Sequence, residues 1–158
     1  MNKRNRVVTM AMEGQHIFTL NTSWNGDRNA SGEITCGNLK TVVSIPEEMG
    51  GPGLGTNPDE MLLGAAATCY LISLATMLDL SKVKAKLHLH SEGIVEVEKS
   101  TFTYKKIIHH IKIVLENYNE KHIRIANRLA LKAEQTCMIS KALKGNVEIV
   151  VNCSIVES

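Results

Sequence analysis

The chain has 158 residues, a length suited to one domain spanning residues 1–158 with a core of its own. Its 18 Lys and Arg stand against 16 Asp and Glu, and the resulting formal net charge of +2 points to neither nucleic acid nor an anionic membrane surface as a partner. Four cysteines, with no secretory signal ahead of them, read as thiols of a reducing, cytoplasmic compartment rather than as a disulfide framework.

In chain order, Val7–Glu13 and His16–Trp24 are predicted as two strands joined at Gly14–Gln15. A polar turn comes next, with the hairpin dipeptide Asn25–Gly26, and it carries Arg28. Glu33–Cys36 and Asn38–Ile45 continue the strand pattern. The glycine-rich run Pro46–Thr56 does not end in Gly-Lys-Ser/Thr, so it is no phosphate loop. Its glycines suit a backbone that passes close to another segment.

Thr56–Leu80 is predicted as one long helix, with Asn57 at the N-cap, Pro58 at the first helical position and Glu60 closing a capping box. Between Glu60 and Asp79 lie 18 uncharged residues, Met61–Leu78. That is the lower limit for crossing a bilayer, but the run is rich in Ala, Thr, Ser and Gly and has no cationic flank before it. The expectation is a core helix and no membrane. A helix apolar on every side needs cover all round, more than one modest sheet supplies, which predicts a homodimer with two copies of it mutually buried. Cys69 sits in its interior.

Beyond the helix, Val83, Ala85, Leu87 and Leu89 alternate with Lys84, Lys86, His88 and His90, the pattern of a half-exposed strand that runs on to a turn near Ser100. Phe102–Leu115 is the next strand of an antiparallel meander. His88, His90, His109 and His110 are best read as histidines on a wet face, because no carboxylate or thiol joins them at ligand spacing; no metal is expected. Asn119–Gln135 is a second helix, with Cys137 on the continuation of its apolar stripe. Met138–Gly145 is predicted as a short turn. Val147–Ile155 is the final strand, with Cys153 on its apolar side, and Cys36 and Cys153 read as packing thiols. Blocks of strands and helices in this order give an α+β fold, an antiparallel sheet packed on helices.

Two stretches carry a more specific signal. Gly53–Tyr70 reads G-x-G-T-N-P-D-E-x-L-L-x-A-A-A-x-C-Y, and Ala133–Ile149 reads A-E-Q-T-C-M-I-S-K-A-L-K-G-N-V-E-I, their cysteines 68 residues apart. Together they resemble the two cysteine motifs of the OsmC/Ohr family, the peroxiredoxin-like osmotically inducible and organic hydroperoxide resistance proteins. The resemblance implies an OsmC-like intertwined homodimer and a thiol peroxidase that reduces organic hydroperoxides to alcohols in oxidative stress defence. It implies no metal, flavin or haem, only an external dithiol reductant, typically a dihydrolipoyl group. Cys69 then matches the peroxidatic cysteine and Cys137 the resolving one. Arg28 matches the family's arginine, and Asp59 falls where the family has glutamate. Met138 stands where the family often has proline.

Ten residues of helix separate Asp59 from Cys69 by about 15 Å. If both serve one site, they come from different subunits or the arginine bridges the gap. Met49, Leu54 and Met61, near the helix start, could line an apolar substrate pocket or simply pack. An apolar pocket would favour alkyl or lipid hydroperoxides. The alternative is an OsmC-fold homodimer that binds a ligand or runs another thiol reaction, since fold alone does not fix function.

Overall fold

The computed structural model describes residues 14–158, so the strand expected at Val7–Glu13 lies outside the described residues. The chain divides into two compact units, one ending at Asn57 and the other running Pro58–Ser158.

The first unit is an antiparallel meander of β1 (Asn21–Trp24), β2 (Gly32–Cys36) and β3 (Leu39–Val43). The first strand is shorter than the sequence pattern suggests, because pairing with β2 starts only at Asn21 opposite Thr35. Asp27 shapes the β1–β2 connection: its carboxylate accepts from the Asn29 N–H at 2.8 Å and its carbonyl from the Trp24 indole at 3.0 Å. After β3, the chain makes a short turn at Glu47–Met49 and comes back along the strand it has just left. Thr56 N–H donates to Val42 O and Ser44 N–H to Thr56 O, so the glycine-rich loop is stitched beside β3 as a short parallel bridge. Gly55 makes this approach possible. Its φ is +69°, and a Cβ there would collide with Val42 O.

The second unit opens with α1 (Pro58–Leu80), which begins one residue after Asn57 as the sequence predicts. Ala66, Tyr70, Leu74 and Leu78, at steps of four, form its buried stripe. Its inner face packs on β4 (Ala85–Glu98), β5 (Thr101–Leu115) and α2 (Glu120–Thr136), where Ile111, Ile113, Leu129 and Ala130 complete the core. Asn119 caps α2 by accepting from the His122 N–H at 2.9 Å. The sequence expectation of a helix needing cover on every side meets a finer pattern. One stripe is covered within the chain, while Gly64, Ala65, Thr68, Ile72, Ala75 and Thr76 stay exposed or partly so, Ile72 at 67%. The Thr68 and Thr76 hydroxyls donate back to Gly64 O and Ile72 O, one turn earlier, so this outer face presents mostly apolar atoms.

Three expectations need correction. The last strand, β6 (Glu148–Glu157), pairs parallel to β5, so the sheet β4–β5–β6 is antiparallel on one side of β5 and parallel on the other. A parallel neighbour requires a long crossover, and the segment from α2 to Val147 supplies it. Met138–Gly145 is not a bare turn: Met138–Leu143 forms a one-and-a-half-turn helix, α3, and the chain leaves it at Gly145 with φ +90°. Finally, His109 does not face water. It lies on the inward row of β5 with Ile107 and Ile111, wholly buried and stacked on Tyr70 with ring centroids 4.9 Å apart. His88, His90 and His110 keep to the outer face, where His110 pairs with Glu92 at 3.1 Å. The architecture is α+β, with a core helix against a mostly antiparallel sheet.

Candidate active site

Cys69 lies in the middle of α1, half-buried. Cys137 is wholly buried and does two structural jobs at once. Its backbone N–H closes α2 by donating to Ala133 O, and its sulfur starts α3 by accepting from the Ser140 N–H at 3.5 Å. The helix break puts the amides of Met138 and Ile139 at the free end of α3, where they have no partner within the helix. Both lie near enough to Cys69 to lower its pKa.

The two thiols lie near enough to perturb each other, and their surroundings drive them apart in acidity. Burial pushes the Cys69 thiol up. Four nearby polar groups more than offset this: the Cys137 thiol, the backbone N–H groups of Ile139 and Met138, and the hydroxyl of Ser73. The net result is a pKa below the ordinary thiol range. Cys137 goes the other way. Burial raises it, and the neighbouring Cys69 thiol raises it further; the Ser140 hydroxyl and the amides of Ser140 and Ile139 pull back without reversing the shift. Cys69, with partial access to solvent, is thus the more acidic of the two thiols, and buried Cys137 the less acidic.

Of the other residues singled out by sequence, Arg28 belongs to the first unit and is held by carbonyls of the turn after β3. One terminal nitrogen donates to Met49 O at 2.6 Å and the other to Gly50 O at 3.0 Å. Met49 therefore offers its backbone to the guanidinium, and its side chain is half-buried. Leu54 is half-exposed, fixed through its N–H to the buried Ser44 hydroxyl at 2.6 Å. Met61 is half-buried in the first turn of α1. Asp59 is close enough to Tyr104 for its charge to add to burial in raising the phenol's pKa. The helix α1 runs unbroken through Asp59 and Cys69, so about 15 Å of helix separates them within one chain.

Sequence reasoning missed Ser73, Ser140 and the two amides. Ser73 was findable, since a residue four after Cys69 on a helix lies over the same face. Ser140 stands three after Cys137, the spacing of a cap and its partner, but this becomes meaningful only once α3 is known to be a helix.

A family model for OsmC-like protein matches residues 51–152. The chain is 54% identical over 142 residues to the uncharacterized protein YmaD of Bacillus subtilis (strain 168), covering 89% of this chain and 95% of that one. It is 29% identical over 109 residues to an organic hydroperoxide resistance protein-like 2 of Staphylococcus epidermidis, covering 68% and 74%. Among solved structures, an organic hydroperoxide resistance protein OsmC from Legionella pneumophila superposes with a TM-score of 0.70 at 26% identity, over 89% of this chain and 99% of that one. With the matched segment holding both thiols, and the fold agreeing over most of the chain, this protein belongs to the OsmC-like family.

Proposed function

We propose that this protein is a thiol-dependent peroxidase that reduces organic hydroperoxides to alcohols. The observation that carries the reading is the thiol pair: two neighbouring cysteines whose surroundings make the accessible one more acidic and the buried one less. Such a pair is arranged for two successive reactions. The Cys69 thiolate attacks the terminal peroxide oxygen; the O–O bond breaks, and the alkoxide leaves and takes up a proton as the alcohol. Cys69 is then a sulfenic acid, and the Cys137 thiol condenses with it, forming the S–S bond and releasing water. An external dithiol, of which a dihydrolipoyl group is the expected kind, restores both thiols by exchange.

Relatives named for organic hydroperoxide resistance support this choice of substrate. Arg28 and Asp59 keep the parts the resemblance implies, a positive charge for the thiolate and a carboxylate to orient it. Met49, Leu54 and Met61, adjoining the start of α1 in sequence, are the apolar groups offered to an alkyl substrate. The exposed apolar face of α1 supports a homodimer, and the free thiols support a cytoplasmic setting.

Cumene hydroperoxide consumption, driven by a dithiol, tests the reading. Cys69→Ser is expected to abolish turnover. Cys137→Ser is expected to keep a single oxidation of Cys69 and lose the disulfide. Mass spectrometry of the oxidised wild type should find Cys69 joined to Cys137. Undiminished consumption by Cys69→Ser would overturn the assignment.

A further inference from the structure

Cys137 poses a problem that its neighbours answer. Its sulfur is wholly buried, yet the proposed cycle requires it to lose a proton when the disulfide forms and to regain one when the disulfide is opened. Beside α3, within the second unit, lies a cavity of about 290 Å³. Its walls include Ser140, Glu134, Lys141, Lys144, Val147 and Ile149. That volume has room for several waters, each taking about 30 Å³ of liquid.

Ser140 joins the two places. It is only 4% exposed, lines this cavity, and its hydroxyl has no hydrogen-bond partner of full geometry among the described residues. The same hydroxyl lies near enough to Cys137 to pull the thiol's pKa down. A buried hydroxyl without a fixed partner is costly to keep unless it has something to exchange with. On the cavity wall with it, Glu134 is half-buried on the last turn of α2, and burial raises its carboxyl's pKa, with Lys144 opposing.

We propose that Ser140 and Glu134 carry protons between this cavity and the sulfur of Cys137. The proposal rests on the peroxidase reading and adds a general acid–base to its second half. When Cys137 attacks the sulfenic acid, the S–S bond forms and the S–O bond breaks. The Cys137 proton passes to the Ser140 oxygen as that hydroxyl hands its own proton, through water, to the Glu134 carboxylate; the departing hydroxide takes a proton from solvent. When a reductant thiolate attacks Cys69, the electron pair of the S–S bond goes to Cys137. Ser140 then protonates that sulfur and is reprotonated from Glu134. The charged groups around the carboxylate are Lys141 and Lys144 on the cavity wall, and the Tyr70 phenol of α1 is near enough to feel its charge.

The test separates this step from peroxide chemistry. The Cys69–Cys137 disulfide is made with diamide, and its reduction by dithiothreitol is followed across pH. Ser140→Ala is expected to slow reduction by about tenfold, below the usual range for general acid–base catalysis because a thiolate leaves without full protonation. Glu134→Gln should flatten the pH profile, and Glu134→Asp, which keeps a titrating carboxyl, should restore its shape. Wild-type rates and profile in both Ser140→Ala and Glu134→Gln would overturn the proton route. A flat profile in Glu134→Asp would do so too, as it would reveal a packing effect. Failure of the wild type to consume hydroperoxide would instead sink the peroxidase reading and leave this measurement standing.

Discussion

Met138 shows how much one side-chain identity can matter through its backbone. Its N–H lies near enough to Cys69 to lower the thiol's pKa, and a proline at this position has no N–H to give. Met138→Pro is therefore expected to raise the Cys69 pKa and slow its alkylation by iodoacetamide at neutral pH, which ultraviolet thiolate absorbance and alkylation rates would read. The departure from the family's common proline thus adds a donor. Tyr70 invites the opposite kind of change. Its hydroxyl is buried without a hydrogen-bond partner among the described residues, so Tyr70→Phe should leave stability unchanged or raise it by about 1 kcal/mol in urea melts. His109 supplies a pH dependence. Burial lowers its pKa below the unfolded value of about 6.5, so the unfolded chain binds the proton more readily. Stability from the neutral ring is present above that pH and is lost as pH falls through the folded value. His109→Gln should flatten this acid limb of the stability curve. A steeper or unchanged limb would show that other groups set it.

At the scale of elements, Gly55 is the most vulnerable to substitution. Gly55→Ala would force a side chain into a left-handed conformation and onto Val42 O, and should cost about 2–3 kcal/mol or detach the loop from β3, visible as lost amide protection at Thr56. The sequence made this loop's glycines legible as a close approach, though not which strand they approach. It also made α1, α2, β4 and β5 legible, because each is long enough to show its period several times. It could not reveal α3, since six residues do not establish a helical period. Nor could it reveal that β6 lies parallel to β5, because alternation fixes a strand's faces and not its neighbour. The inward turn of His109 was hidden for a related reason. Adjacent histidines on one strand must face opposite ways, and the pattern alone did not say which was inside. The thiol pair was legible through two motifs. Of the polar groups around it, Ser73 could be reached by helical spacing, while the Met138 and Ile139 amides and Ser140 could not, because they depend on where α3 begins.

For the whole molecule, the outer face of α1 carries the next test. Ile72 stands 67% exposed among small residues, a surface suited to close helix packing. Light scattering should find a dimer for the wild type, and Ile72→Glu should shift it toward monomer; a wild-type monomer at micromolar concentration would remove the basis for a shared helix interface.

The parallel strand has an effect in time as well as in space. The second sulfur lies inside the connection that must swing over the sheet before β6 can settle beside β5. During synthesis Cys69 leaves the ribosome well ahead of every group on that connection, and until they arrive it is an ordinary, sluggish thiol. A chain cut short before that connection would therefore lack the neighbours that lower the Cys69 pKa.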